Sequence, residues 1–160
     1  MAIFLAYALI MGFIERMIPI DVGLPGIKLG LANVVVLTSL YIFRFPDALK
    51  IAAAKSVIVG ALSGSVVSFC YSVSGSILSF LAMWLMIRLV KDSGVIGVSV
   101  VGAVTHNLGQ LLAAAALLGS ASVFWYLPAL IVSGVAAGIL VGILTRYIVR
   151  FIRKRGWSAG

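Results

Sequence analysis

Leu24-Pro25-Gly26-Ile27-Lys28-Leu29-Gly30-Leu31-Ala32-Asn33 interrupts an otherwise apolar chain, and its reading decides the fold. Pro25-Gly26 turns the backbone, and the residue before a proline is pushed away from helix. Lys28 and Gly30 follow, and a new apolar run opens with Asn33 about one helical turn inside it. Two readings stand side by side. The stretch is a membrane re-entry turn whose lysine sits at the lipid headgroups. Alternatively, the lysine and the unpaired N–H groups of the following helix together hold a carboxylate or phosphate. In both, one helix ends before the stretch and another begins after it.

Working outward, composition makes the surroundings a membrane. Of 160 residues 63% are hydrophobic and 10% charged, with mean hydropathy +1.25. Soluble domains are about 45–50% apolar and about a quarter charged. The whole of residues 1–160 is therefore expected to form one transmembrane domain, with no room for a soluble one. The net charge of +8 is no nucleic-acid footprint, because Lys and Arg are scattered between apolar runs or gathered at the C-terminus. The single cysteine, Cys70, excludes an intrachain disulfide, and the single histidine, His106, excludes a multi-histidine metal site. No cofactor is implied. The first apolar run carries Glu15-Arg16 and lacks a basic leader or small-residue cleavage site, so it reads as a retained helix.

Six apolar segments emerge: 2–18, 29–43, 48–71, 76–90, 95–118 and 124–152. The connections between them are brief, with Ser72-Val73-Ser74-Gly75 read as the third-to-fourth turn, so sequence neighbours are antiparallel neighbours in space. Backbone groups in lipid must be satisfied internally, and an all-α six-helix bundle meets that demand. Charge then orients it. Arg146, Arg150, Arg153, Lys154 and Arg155 mark the side of both termini as cytoplasmic, and Arg44, Lys50, Lys55, Arg88 and Lys91 fall on the same side. Only Arg16 and Lys28 fall opposite. The setting expected is a bacterial cytoplasmic membrane. Arg146, Arg150 and Arg153 share a helix stripe that anchors the tail to anionic lipid headgroups.

Small residues mark close helix approach. Gly134, Gly138 and Gly142 form one stripe in the last helix, and Gly60, Gly64 and Ser68 another in the third. Ala2 and Ala6 do the same in the first, for packing or for a partner protein.

Polar groups inside the membrane are costly and should face the bundle or a wet cavity. Gly102, His106 and Gln110 share one face of the fifth helix, with Asn107 beside it. This group is either an interhelical hydrogen-bond network or the wall of a ligand pocket opening outward. Glu15 and Arg16 approach the depth of the Lys28 loop. By topology Glu15, Arg16, Lys28, Asn33, His106, Asn107 and Gln110 converge on the outer half of the bundle. Lys50 and Lys55 are placed in the cytoplasmic half, where they snorkel. Four dispersed acids and no phosphate-binding loop speak against enzymatic chemistry.

At these residues the chain resembles a known family. Pro25-Gly26-Ile27-Lys28-Leu29-Gly30-Leu31-Ala32-Asn33, preceded by Ile14-Glu15-Arg16 and Ile18-Pro19, looks like the Gx transporter family, whose members are often labelled heptaprenyl diphosphate synthase component I. Gly102-Ala103 with His106-Asn107-Leu108-Gly109-Gln110 matches its second signature, and Tyr126-Leu127-Pro128 with Ser133-Gly134 its third. The resemblance implies kinship with the substrate-binding S components of energy-coupling factor transporters. Those are six-helix proteins that bind a vitamin or similar metabolite near the outer face. They dock on a transmembrane coupling subunit and two ATPases, and Ala2 and Ala6 would be the docking face here. The leading expectation is thus a transport-associated binding subunit for a small, anionic metabolite or a vitamin- or isoprenoid-quinone-type precursor. Two alternatives are a non-transporting membrane subunit of a flavin- or quinone-linked electron-transfer assembly and an accessory subunit of heptaprenyl diphosphate synthesis. Prenyl chain elongation needs clustered aspartates to hold magnesium, and no two acids are adjacent here.

Overall fold

Pro46 stands in the first turn of a helix, where its missing N–H would have no partner in any case. Gly30 precedes another helix with φ +74, a left-handed backbone that side chains with a Cβ resist. Such punctuation cuts the apolar chain into helices. The computed structural model describes residues 2–17 (of Arg16 the backbone alone), 30–62 and 64–155. Among these it is all-helical: α1 Ala2–Met17, α2 Leu31–Ile42, α3 Phe45–Ala61, α4 Val66–Leu89, α5 Val95–Leu118 and α6 Leu127–Lys154. A 3₁₀ helix, Ala121–Tyr126, leads into α6.

α4, α5 and the last helix with its 3₁₀ lead-in are long and apolar enough to cross a membrane. α2, with 12 residues, rises only about 18 Å, against about 30 Å of hydrocarbon. Its N-terminus therefore ends partway along its neighbours and not level with their ends.

α3 ends at Ala61 and α4 begins at Val66, earlier than the Ser72–Gly75 turn expected from the sequence, so the expected spans 48–71 and 76–90 are recut. Gly64 supplies a positive φ of 66, and Ser65 caps α4 by accepting from the Ser68 N–H. The serines taken for a loop are instead satisfied inside the bundle. Ser74 donates to the Cys70 carbonyl at 2.8 Å and Ser72 to the Ser56 carbonyl at 3.3 Å. Gly60, Gly64 and Ser68 consequently form no single stripe. Gly60 closes α3, Gly64 lies in the turn, and Ser68 opens α4.

Packing follows the small residues. A Cβ on Gly109 of α5 would lie 2.8 Å from the Cα of Gly75 in α4, so these helices meet backbone to backbone. On the opposite side of α5, Gly134, Gly138 and Gly142 of α6 lie against Val104, Val100 and Ile96. α2 fits between α1, α3 and α6. The apolar core joins Val34, Val36 and Leu37 of α2 to Ala48, Ala52, Phe80, Met83, Val98 and Val141.

Candidate functional site

A cavity of about 70 Å³ lies above that core, with α1, α2, α3, α4, α5 and α6 all contributing to its wall. Its polar lining comprises Glu15, Asn33, Lys55, Ser72, Ser79, Ser99, His106, Asn107 and Gln110, and Leu37, Met83 and Val141 belong to both its wall and the core beneath. A few water molecules fill such a volume.

Helix lengths explain why these groups meet. Lys55 stands ten residues into α3, about 15 Å from Phe45, and Asn33 nine residues before Ile42, about 13.5 Å along α2. His106 stands eleven residues into α5, about 16.5 Å from Val95. All three reach the same level of the bundle. There Lys55 Nζ donates to Asn33 Oδ1 at 3.0 Å, and Lys55 is only 6% exposed. This corrects the placement of Lys55 among the snorkelling cations. The expected helix 48–71 put it in the lower half of a long span; the observed α3, Phe45–Ala61, puts it past the midpoint of a short one.

Glu15, near the end of α1, accepts a hydrogen bond from the backbone N–H of Gly30. Gly30 is the N-cap of α2, and no side chain of the cap itself serves that terminus. The carboxylate thereby meets the positive end of the α2 dipole, where negative charge is favoured. The α2 N-terminus, capped by this carboxylate, and the buried ammonium of Lys55 thus meet at one cavity.

From α5, His106 Nε2 and Gln110 Nε2 lie 3.3 Å apart, and the two side chains with Gly102 present one face to the cavity. A Cβ on Gly75 would lie 3.0 Å from His106 Cε1, so that glycine makes room for the imidazole. Asn107 turns toward α6, its Nδ2 donating to the Leu130 carbonyl at 2.8 Å. The α5 group thus divides: His106 and Gln110 pair with each other, whereas Asn107 ties two helices while still lining the cavity.

Of the residues expected to converge, Glu15, Asn33, His106, Asn107 and Gln110 line this one cavity. Lys28 and the Arg16 side chain lie outside the described residues. Ala2 and Ala6 are on the exposed surface of α1. Lys55, Ser72, Ser79 and Ser99 are additions that sequence reasoning missed. For Lys55 a signal existed: it is the single charge in Ile51-Ala52-Ala53-Ala54-Lys55-Ser56-Val57, and Pro46 marks the helix start from which its depth is counted. The serines gave no such signal, since each reads as one small residue among many.

Among known proteins, a family model described as heptaprenyl diphosphate synthase component I matches residues 4–148. Comparison with curated proteins and with solved structures gave no match.

Proposed function

The chain belongs to the heptaprenyl diphosphate synthase component I family, and on that premise we propose that it is a membrane-embedded binding subunit, like the S components of energy-coupling factor transporters. It captures a small anionic metabolite, or a vitamin- or isoprenoid-quinone-type precursor, for transport. In this reading six helices span a bacterial cytoplasmic membrane with both termini inside, and the basic tail rests on anionic lipids. Energy comes from a coupling subunit and two ATPases, docked at the Ala2 and Ala6 face of α1.

The observation that carries the reading is Lys55. A cation in the middle of a membrane protein is expensive and marks a ligand or ion path by default. This one shares a cavity with three carboxamides, an imidazole and the Glu15-capped N-terminus of a half-length helix, and its ammonium and the amide N–H donors suit an anionic group. The described acids serve other ends. Asp47 pairs with Lys50 at 3.3 Å, Glu15 caps α2, and Asp92 is exposed in a turn. Binding, not catalysis, is the role this distribution supports.

The test is mass spectrometry of small molecules released from the protein purified in nanodiscs, with Lys55→Met and Lys28→Ala as controls. A compound held stoichiometrically by the wild type and lost from folded Lys55→Met is expected. Equal retention by both removes Lys55 from the site and the reading with it. The family description, which names one component of a synthase, supports a second reading as a subunit of a larger assembly. A soluble prenyl diphosphate synthase whose activity depended on adding this chain would establish that reading.

A further inference from the structure

We infer that the cavity is connected by a hydrated track to the end of the bundle that carries Arg146, Arg150 and Arg153, and that Ser99, Thr145 and Tyr41 line it. The three residues come from α5, α6 and α2, and each has a buried hydroxyl oxygen without a hydrogen-bond partner. Ser99 is 2% exposed and Thr145 0%.

Their order along the bundle runs away from the cavity. Ser99 lines its wall. A Cβ on Gly142 would lie 3.1 Å from Ser99 Cβ, which puts Gly142 level with that serine. Thr145 is on the same α5-facing side of α6, about 4.5 Å nearer the basic end. Tyr41 stands in the last turn of α2, toward the same end of the bundle, and packs against the apolar core. The hydroxyls therefore form a file from the cavity wall to the arginines, beside the apolar collar of Leu37, Val98 and Val141.

A hydroxyl shut away without a partner forfeits its hydration, and native proteins rarely tolerate this. One orphan is an accident of packing. Three, one each on α5, α6 and α2, placed between a polar cavity and one end of the bundle, are what a file of ordered waters satisfies. The contrast with neighbouring hydroxyls is informative: Thr38, Ser39 and Ser56 are equally buried, and each donates to a carbonyl of its own helix. The track gives the Lys55 site exchange of water and protons with the basic end, and it holds whatever the cavity binds.

The test places single cysteines at Ser99, Thr145 and, as a dry control, Ala48, which is 0% exposed in the apolar core. Each is built in a Cys70→Ser background, in vesicles with the basic end facing the medium. Ag⁺ is added as a small thiol probe, and the thiols left free are counted with maleimide after denaturation. Loss of the maleimide signal at Ser99→Cys and Thr145→Cys, with Ala48→Cys spared, is expected. Sparing of all three, or blockage of all three, overturns the inference. Thr145→Val gives an independent reading. If the hydroxyl binds the water file, Tm falls; if Tm is unchanged or rises, the hydroxyl is dry and the track does not exist.

Discussion

The ammonium of Lys55 in α3 donates to the side-chain carbonyl of Asn33 in α2 across 3.0 Å, so a buried cation is held by a neutral acceptor. The carboxamide orients the ammonium toward the cavity that both residues line. Hydrogen bonds to charged groups contribute about 1.5–3 kcal/mol, so Asn33→Ala is expected to lose about 2 kcal/mol of stability. Lys55→Met, which removes the costly charge and keeps the chain length, is expected to lose less. Thermal unfolding in detergent orders the two. If Lys55→Met were the worse, the lysine would be there to hold the helices together and not to meet a ligand.

Glu15 connects α1 to α2 across fifteen residues through the Gly30 N–H. Glu15→Gln keeps an acceptor and gives up the charge at the helix terminus, with an expected cost of about 0.5–1 kcal/mol. Glu15→Ala also orphans the N–H, and the total expected is about 1–2 kcal/mol. Denaturation midpoints of the two variants check the order. Equal losses would mean that the charge carries the whole effect, and a Glu15→Gln variant as stable as the wild type would mean that charge contributes nothing there.

How far these features were legible in the sequence depends on what kind of signal each left. The all-helical class and the membrane setting follow from hydropathy, because lipid leaves the backbone few options. Asn33, His106 and Gln110 announce themselves as polar residues at helical spacing in apolar runs. Lys55 was visible but misplaced, since its depth depends on where α3 ends. That end is set by Gly64 and Ser65, and a second cluster, Ser72 to Gly75, offers equally good turn residues. Only tertiary contacts decide between them: Gly75 is needed where α4 meets His106 and Gly109, so its lack of a side chain serves packing and not a turn.

That packing contact predicts a sharp contrast within one helix. On Gly109 a new Cβ would stand 2.8 Å from both the Gly75 Cα and the Ser74 carbonyl oxygen, backbone atoms that yield only if α4 and α5 separate. Gly109→Ala is expected to cost about 1–3 kcal/mol, as overpacking does. On Gly97 the nearest atom is the terminal methyl of Met86 at 3.6 Å, ordinary contact with a flexible side chain. Gly97→Ala is expected to be neutral or to stabilise by up to about 1 kcal/mol through helix propensity. Melting temperatures of the pair decide whether α4 and α5 touch at Gly75 and Gly109.

Asn107 yields the prediction most sensitive to side-chain orientation. Its amide nitrogen donates to the Leu130 carbonyl at 2.8 Å, and that carbonyl also accepts from Ser133 Oγ at 3.1 Å. Asn107→Ala removes one interhelical hydrogen bond, worth about 0.6–2 kcal/mol within a membrane bundle. Ser133 still serves the carbonyl, which places the expected loss at the lower end of that range. Asn107→Asp retains the shape and sets a carboxylate oxygen against the carbonyl oxygen, so the donor becomes a repelling acceptor. A buried charge without a partner costs about 3 kcal/mol or more. The expected order of thermal stability is therefore wild type, then Asn107→Ala, then Asn107→Asp, although aspartate is the closer mimic in size. An aspartate variant more stable than the alanine would mean that the Asn107 oxygen, and not its nitrogen, faces α6.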